Sequence, residues 1–287
     1  MISLPLRIIS KNIRYATKSP SKGERPWTER KDLIIKELRF NTLHIQSTLI
    51  CCQEVLYDQL QDILAGLQRF EGWDYIGWGR DDGKTAGEYS PMFFQPKVWT
   101  VLEKNPVWLS PTPSIPSKDP DAATVRILTR AKLRHINSGI VLIVYCTHLD
   151  HLSGPARQRA ANQICLLAAK DSSSPIILAG DFNSEQNQEA YQTIVRSKMF
   201  QDASNVKDDL RYGNTITYTG FAPKDDDLPT RIDYIFYSTN DRPPVFRVLD
   251  YAVLSNCFDD GISNSDHRAV VADMVISSNR DMNAQEG

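Results

Sequence analysis

The chain has 287 residues, with 33 Lys+Arg against 35 Asp+Glu and a formal net charge of −2. That balance excludes a polybasic protein that grips nucleic acid by bulk charge, because such binding needs a cationic surplus to displace counterions. With 41% hydrophobic and 24% charged residues it is a globular mix, not a disordered chain. No run approaches the ~18 apolar residues of a membrane span. Met1 to Ser10 is too short and interrupted for a signal-peptide core. The five cysteines form no C-x-x-C pair, and free thiols in a reducing compartment are expected. These features predict an intracellular protein, cytoplasmic or nuclear.

Leu4 to Lys11 reads as a buried strand ending at Asn12, and Thr17 to Pro26 as a polar loop. Trp27 to Leu38 is helical in composition. Thr48 to Gln53 is a short strand ending at Glu54. Leu56, Leu60, Ile63, Leu64 and Leu67 then repeat with the spacing of an amphipathic helix. Trp73 to Trp78, Pro91 to Phe94 and Val98 to Leu102 predict strands, and the five prolines between Pro106 and Pro120 predict a loop. Ile140 to Thr147 is strongly strand-like and ends at His148. Pro155 suits the start of a helix running to about Lys170. Ile176 to Ala179 runs as a strand into Gly180-Asp181, and a helix follows around Gln188 to Val195. Ile232 to Tyr237, Phe246 to Leu254 and Ala269 to Ile276 predict later strands. No repeat or flexible linker interrupts the pattern. A single domain over residues 1–277 is expected, with a polar tail at 278–287. The mixture of strand–helix alternation and hairpin-like pairs predicts an α/β fold with mixed or stacked sheets.

The polar residues fall at special places. Asn12, Glu54, His148 and Asp181 each follow an apolar strand, while Asp233 and Asp266-His267 precede one. If the late strands run antiparallel to the early ones, all these side chains meet at one end of the sheets, where α/β folds bind ligands. Each alone reads equally as a turn former. Glu54 could cap a helix or hold a hard cation. His148, in Thr147-His148-Leu149-Asp150-His151, could be half of a structural His–Asp pair, a general acid or a phosphate contact. Asp181 and Asn183 sit on alternate positions, so both project the same way, which suits a base and a partner sharing one water.

In chain order, Asn12, Gln53-Glu54, Thr147-His148-Leu149, Gly180-Asp181-Phe182-Asn183, Ile232-Asp233-Tyr234-Ile235 and Ser265-Asp266-His267 make up six short motifs. Together they resemble the endonuclease/exonuclease/phosphatase superfamily of metal-dependent phosphoesterases. Gly79-Arg80-Asp81-Asp82-Gly83 with Gly87-Glu88-Tyr89-Ser90-Pro91 is similar to a compact subgroup of it. That subgroup commonly has Trp where Pro120 stands, before Asp121-Ala122-Ala123. The resemblance implies a four-layer α/β/β/α sandwich with two central mixed sheets.

It also implies roles. Glu54 holds Mg²⁺ (or Mn²⁺), with Asn12 and Asp266 in or beside its shell. Asp181 orients and deprotonates water, with Asn183 holding that water or a phosphate oxygen. His267 meets the phosphoryl group, its tautomer fixed by Asp233. His148 serves the leaving group, with Glu88 as its candidate partner. Tyr89, Arg126 and Asn12 are candidate substrate contacts. The implied activity is hydrolysis of a phosphodiester, nuclease-like, with a 3′–5′ exoribonuclease as one form and a short single strand or nucleotide as substrate. The alternatives are a phosphomonoesterase, a sphingomyelinase-like lipid phosphodiesterase, or a non-catalytic interaction protein on the same fold. A monomer is the expected state. Lys118, Arg126, Arg130, Lys132, Arg134, Arg157 and Arg159 read either as a solvated face or as a phosphate-facing strip. Tyr218, Phe221 and Trp108 could stack on a base, Trp108 equally serving the core.

Overall fold

A computed structural model describes residues 2–221, 229–239 and 245–277. The polar tail expected at 278–287 lies outside them. In chain order the elements are β1 (Ser3–Asn12), α1 (Trp27–Thr42), β2 (Thr48–Gln53), α2 (Tyr57–Gln68), β3 (Asp74–Ile76), β4 (Met92–Phe94), β5 (Trp99–Trp108), β6 (Ile127–His135), β7 (Val141–His148) and α3 (Gly154–Asp171). There follow β8 (Ile176–Asp181), α4 (Glu189–Arg196), β9 (Phe200–Asp202), β10 (Arg211–Gly213), β11 (Asp233–Ser238), β12 (Val245–Val253) and β13 (Val270–Ser277).

The strands form two sheets, of order β10-β12-β13-β1-β2-β4-β3 and β5-β6-β7-β8-β11-β9. Both are mixed. In the first, β1 runs parallel to β2 and antiparallel to β13. In the second, β7 runs parallel to β8, and β11 antiparallel to β8. The late strands therefore do reverse, and every motif arrives at one edge.

Strand parity explains the layers. Ile8, Cys51 and Met274 of the first sheet face Val144, Cys146, Ile177 and Ile235 of the second in one buried layer. The alternate residues Ile9, Ile50 and Phe93 pack under Ile34 and Leu38 of α1 and Leu60 and Ile63 of α2. Ile143, Tyr145, Leu178 and Phe236 pack under Ala161 and Ile164 of α3 and Ile194 of α4. Sheets apolar on both faces must be covered on both, which yields helices, sheet, sheet, helices. Ser153 caps α3 by accepting from Ala156 N, and Pro155 lies in its first turn.

One sequence expectation shifts, and one strand carries no apolar signal. β5 runs on through Pro106 to Trp108, where a loop was expected. It is an edge strand, where a missing N–H is tolerated. β6 carries Arg130, Lys132 and Arg134 and so lacks an apolar run, yet it is paired along both sides. No helix among the described residues is long and apolar enough to cross a membrane.

Candidate active site

The two parallel pairs end together. Asn12 lies opposite Gln53 at the end of the β1–β2 ladder, and His148 opposite Asp181 at the end of β7–β8. Gly180 allows the second pairing, because a Cβ there would collide with the Thr147 carbonyl. Asp233 pairs with Asp181 from the antiparallel side. Glu54, His148, Asp181, Asn183, Asp266 and His267 line a cleft of about 910 Å³, shared with Arg14, Lys18, Arg80, Thr124, Arg126, His151 and Tyr218, while Asn12 and Asp233 stand behind that lining.

Asn12 Nδ2 bridges two carboxylates, donating to Glu54 Oε1 at 3.0 Å and Asp181 Oδ2 at 2.9 Å. Its Oδ1 accepts from Arg14 N. The nitrogen of this amide, rather than its oxygen, faces the acids. Asn12 thus braces the two acids, with its oxygen turned to the Arg14 amide. Glu54 Oε2 also accepts from Tyr15 N at 3.2 Å and lies 3.8 Å from Arg14 Nη1. Three residues of the cleft, Arg14, Glu54 and Asn183, hold left-handed backbones with φ of 58°, 60° and 46°. Such conformations cost roughly 1 kcal/mol or more each and concentrate where side chains must be aimed.

His267 Nδ1 bonds Asp233 Oδ2 at 2.9 Å, and its Nε2 stands 3.7 Å from Asp181. Burial alone would lower the His267 pKa, but the Asp233 and Asp181 carboxylates overcome it and hold the ring protonated. Burial, then Asp233, raises the Asp181 carboxyl. Burial, with Glu54 close by, raises Asp266. Thr217 Oγ1 accepts from the Ile232 and Asp233 amides and fixes the Asp233 backbone.

On the opposite side, His148 Nε2 accepts from Asn183 Nδ2 at 2.9 Å and lies 3.5 Å from Asp181 Oδ2. The same Nδ2 donates to Leu149 O. Asn183 thus orients His148, a use that the alternate-position reading did not foresee. Burial and then Arg126 push the His148 pKa well below its ordinary value, so the ring is neutral. Glu88 is 3.7 Å from His148 Nδ1, too far for a hydrogen bond, and its charge is met by Arg80 at 2.7 Å.

Other expectations are corrected. Tyr89 is buried, and its hydroxyl donates to the Lys84 carbonyl, away from the cleft. Trp108 is core, its Nε1 donating to Arg80 O. Phe221 sits against the Arg30 guanidinium, whereas Tyr218 lines the cleft beside the His267 ring. Four of the seven basic residues of the expected strip are held in ion pairs: Arg130 with Asp171 and Glu103, Lys132 with Glu103, Arg157 with Glu189, and Arg159 with Asp119 and Asp121. Of that set, Arg126 enters the cleft.

Residues that motif reading missed hold this geometry. Arg30, wholly buried on α1, donates to the carbonyls of Ile13, Arg14, Arg25 and Asn264. Lys11, also buried, binds His267 O and Asn264 Oδ1 and lies 3.2 Å from Glu37. Ser265 Oγ donates to Asn12 O and accepts from His267 N. These bonds tie the β1 end to the loop before β13. A signal existed for Arg30. It occupies the inward stripe Trp27, Arg30, Ile34, Leu38, where a charge needs a specific partner.

The residues present suit a divalent cation. Ligand atoms of Glu54, Asp181 and His267 lie within 4.8 Å of one another. This group differs from the expected Glu54, Asn12 and Asp266, although Asp266 lines the same cleft. Hard cations favour carboxylate oxygens over imidazole, and His267 Nδ1 is already committed to Asp233.

A family model described as the Endonuclease/Exonuclease/phosphatase family matches residues 12–267. A search of curated proteins returned no match. Among solved structures, a member of that family from Bacteroides thetaiotaomicron is 30% identical, over 96% of this chain and 99% of that one, with a TM-score of 0.84. Another from Bacteroides vulgatus is 32% identical over 95% and 99%, with a TM-score of 0.81. A mannosyl-6-phosphatase from Bacteroides thetaiotaomicron is 30% identical over 94% and 99%, with a TM-score of 0.82. With the motifs, the fold and a matched span reaching from the first site residue to the last, this chain belongs to the endonuclease/exonuclease/phosphatase family, and it is a phosphoesterase hydrolase.

Proposed function

We propose that the protein hydrolyses the phosphate ester of a small molecule, with Mg²⁺ or Mn²⁺, by in-line attack of water. The observation that carries this reading is the convergence of Glu54, Asp181, Asp266 and His267 in one cleft, with Asn12 bracing two of the carboxylates. Phosphoryl transfer needs positioning and charge neutralisation more than covalent chemistry. A bound cation would neutralise phosphoryl oxygens and the developing charge. Glu54 and Asp266 would hold it.

The chain's own groups divide the remaining work. Asp181, central to the cluster, orients the attacking water and takes its proton. His267, kept charged by Asp233, binds a phosphoryl oxygen. His148, its ring set by Asn183, meets the leaving oxygen. A cleft of about 910 Å³ suits a small molecule better than a long duplex.

A phosphomonoester is the first reading, supported by the likeness to a mannosyl-6-phosphatase along nearly the whole chain. A phosphodiester of nucleotide type, expected from the motifs, is the second. It is favoured by the Tyr218 ring on the cleft, where a base could stack. Phosphate release from p-nitrophenyl phosphate and a sugar phosphate, set against p-nitrophenol release from bis-p-nitrophenyl phosphate, all in Mg²⁺, separates them. Faster turnover of the monoesters is expected. Turnover of the diester alone would overturn the first reading, and turnover of none would overturn both.

A further inference from the structure

The cleft has a wall that the hydrolytic roles leave unused. Arg126 is 5% exposed, and its Nε and Nη1 make no hydrogen bond. Its Nε stands 3.7 Å from Asp150, but that carboxylate already accepts from four backbone amides: Ala123, Thr124, Leu152 and Ser153. By contrast, the neighbouring Arg80 is met by Glu88 at 2.7 Å and by Asp81 at 3.8 Å. Arg126 is therefore a desolvated cation with incomplete compensation. Leaving such a group unpaired is costly unless something else completes it.

Its third nitrogen fixes a neighbour. Arg126 Nη2 lies 2.9 Å from His151 Nδ1. A guanidinium can only donate, so Nδ1 is the acceptor and the imidazole proton sits on Nε2. His151 lines the cleft and is exposed, so it offers a donor there. Thr124 Oγ1, on the same lining, has no hydrogen-bond partner. Asp150 joins the wall, because its four amide bonds tie the 123–124 turn to the 150–153 turn. A cation, an N–H and a hydroxyl gathered without a free carboxylate form an oxyanion receptor.

We propose that Thr124, Arg126 and His151 form a second recognition subsite, which takes a carboxylate or second phosphate on the leaving-group part of the substrate. The position on the substrate follows from His148, which lines the same cleft as this wall and shares a small recess with Arg126. The preferred substrate is then a compact phosphate ester with two anionic groups. This inference rests on the phosphoesterase reading above.

Two matched pairs test it through phosphate release with Mg²⁺. Glucose 6-phosphate against 6-phosphogluconate probes the carboxylate, and fructose 6-phosphate against fructose 1,6-bisphosphate probes the second phosphate. In one pair at least, kcat/KM is expected to rise about tenfold for the two-anion member, the scale of one charge-assisted hydrogen bond, through a lower KM. His151→Ala should bring that ratio close to unity. His151→Gln, which keeps a donor, should retain part of it, and Thr124→Val should lower it. A wild-type ratio near unity in both pairs, or one that survives His151→Ala, overturns the subsite while leaving the phosphoesterase reading intact. Hydrolysis of none of the four esters overturns that reading and the subsite with it.

Discussion

The two sheets build their ends of the cleft by the same device. The first delivers Asn12 and Glu54 after the parallel pair β1–β2, and Asp266-His267 ahead of the reversed strand β13. The second delivers His148 and Asp181 after the parallel pair β7–β8, and Asp233 at the start of the reversed strand β11. The chemistry differs. The first half gathers the carboxylates of Glu54 and Asp266 near Arg14 and is tied by buried Arg30 and Lys11. The second half holds a neutral His148, a raised Asp181 and the donor-rich wall around Arg126. The pair His267–Asp233 joins them across the gap at 2.9 Å. One topology repeated twice can thus supply a cation-holding half and a half that handles water and the leaving group, because only strand-end residues need differ.

The division can be broken from either side. Asp181→Asn should have the largest effect, lowering kcat by about 10²- to 10⁴-fold, the range of general acid–base terms, with little change in the melting curve. Steady-state hydrolysis of p-nitrophenyl phosphate reads it, and near-normal turnover would remove Asp181 as the base.

Arg30→Met should act on the first half through folding. Four carbonyls lose their donor, and urea melts should show a loss of about 3 kcal/mol or more. An unchanged midpoint would contradict the tie between the β1 end and the loop before β13.

Asp233→Asn should cost about 10- to 100-fold in kcat, as outer partners of reacting histidines do. Its kinetics compared with those of the double variant Asp233→Asn/His267→Ala separate a shared role from two independent ones. Tyr89→Phe should be the mildest, removing one bond to the Lys84 carbonyl at about 1 kcal/mol in stability, with turnover kept. A large fall in turnover would return Tyr89 to the cleft.

Much of this was legible in the sequence because strands ending at Asn12, Glu54, His148 and Asp181 announce themselves by apolar runs that stop at a polar residue. The reversal of β11 and β13 was a conditional expectation, and it decided whether the motifs met. What stayed hidden depends on contacts between distant segments. Asn183 turns to His148 because its left-handed backbone re-aims the amide, which strand parity cannot express. The basic residues of β6 looked like one strip, but Asp171 and Glu103 claim Arg130 while Arg126 lies beyond the strand start. Tyr89 lies next to Glu88 in a motif, yet only three-dimensional packing shows its hydroxyl spent on Lys84 O.

The central claim, that the two halves meet at a cation-dependent hydrolytic centre, is tested most directly by chelation. Protein stripped with EDTA should release no phosphate from p-nitrophenyl phosphate or a sugar phosphate. Added Mg²⁺ or Mn²⁺ should restore turnover, and Glu54→Ala should require far more metal to recover any. Turnover that persists undiminished in EDTA would contradict the account.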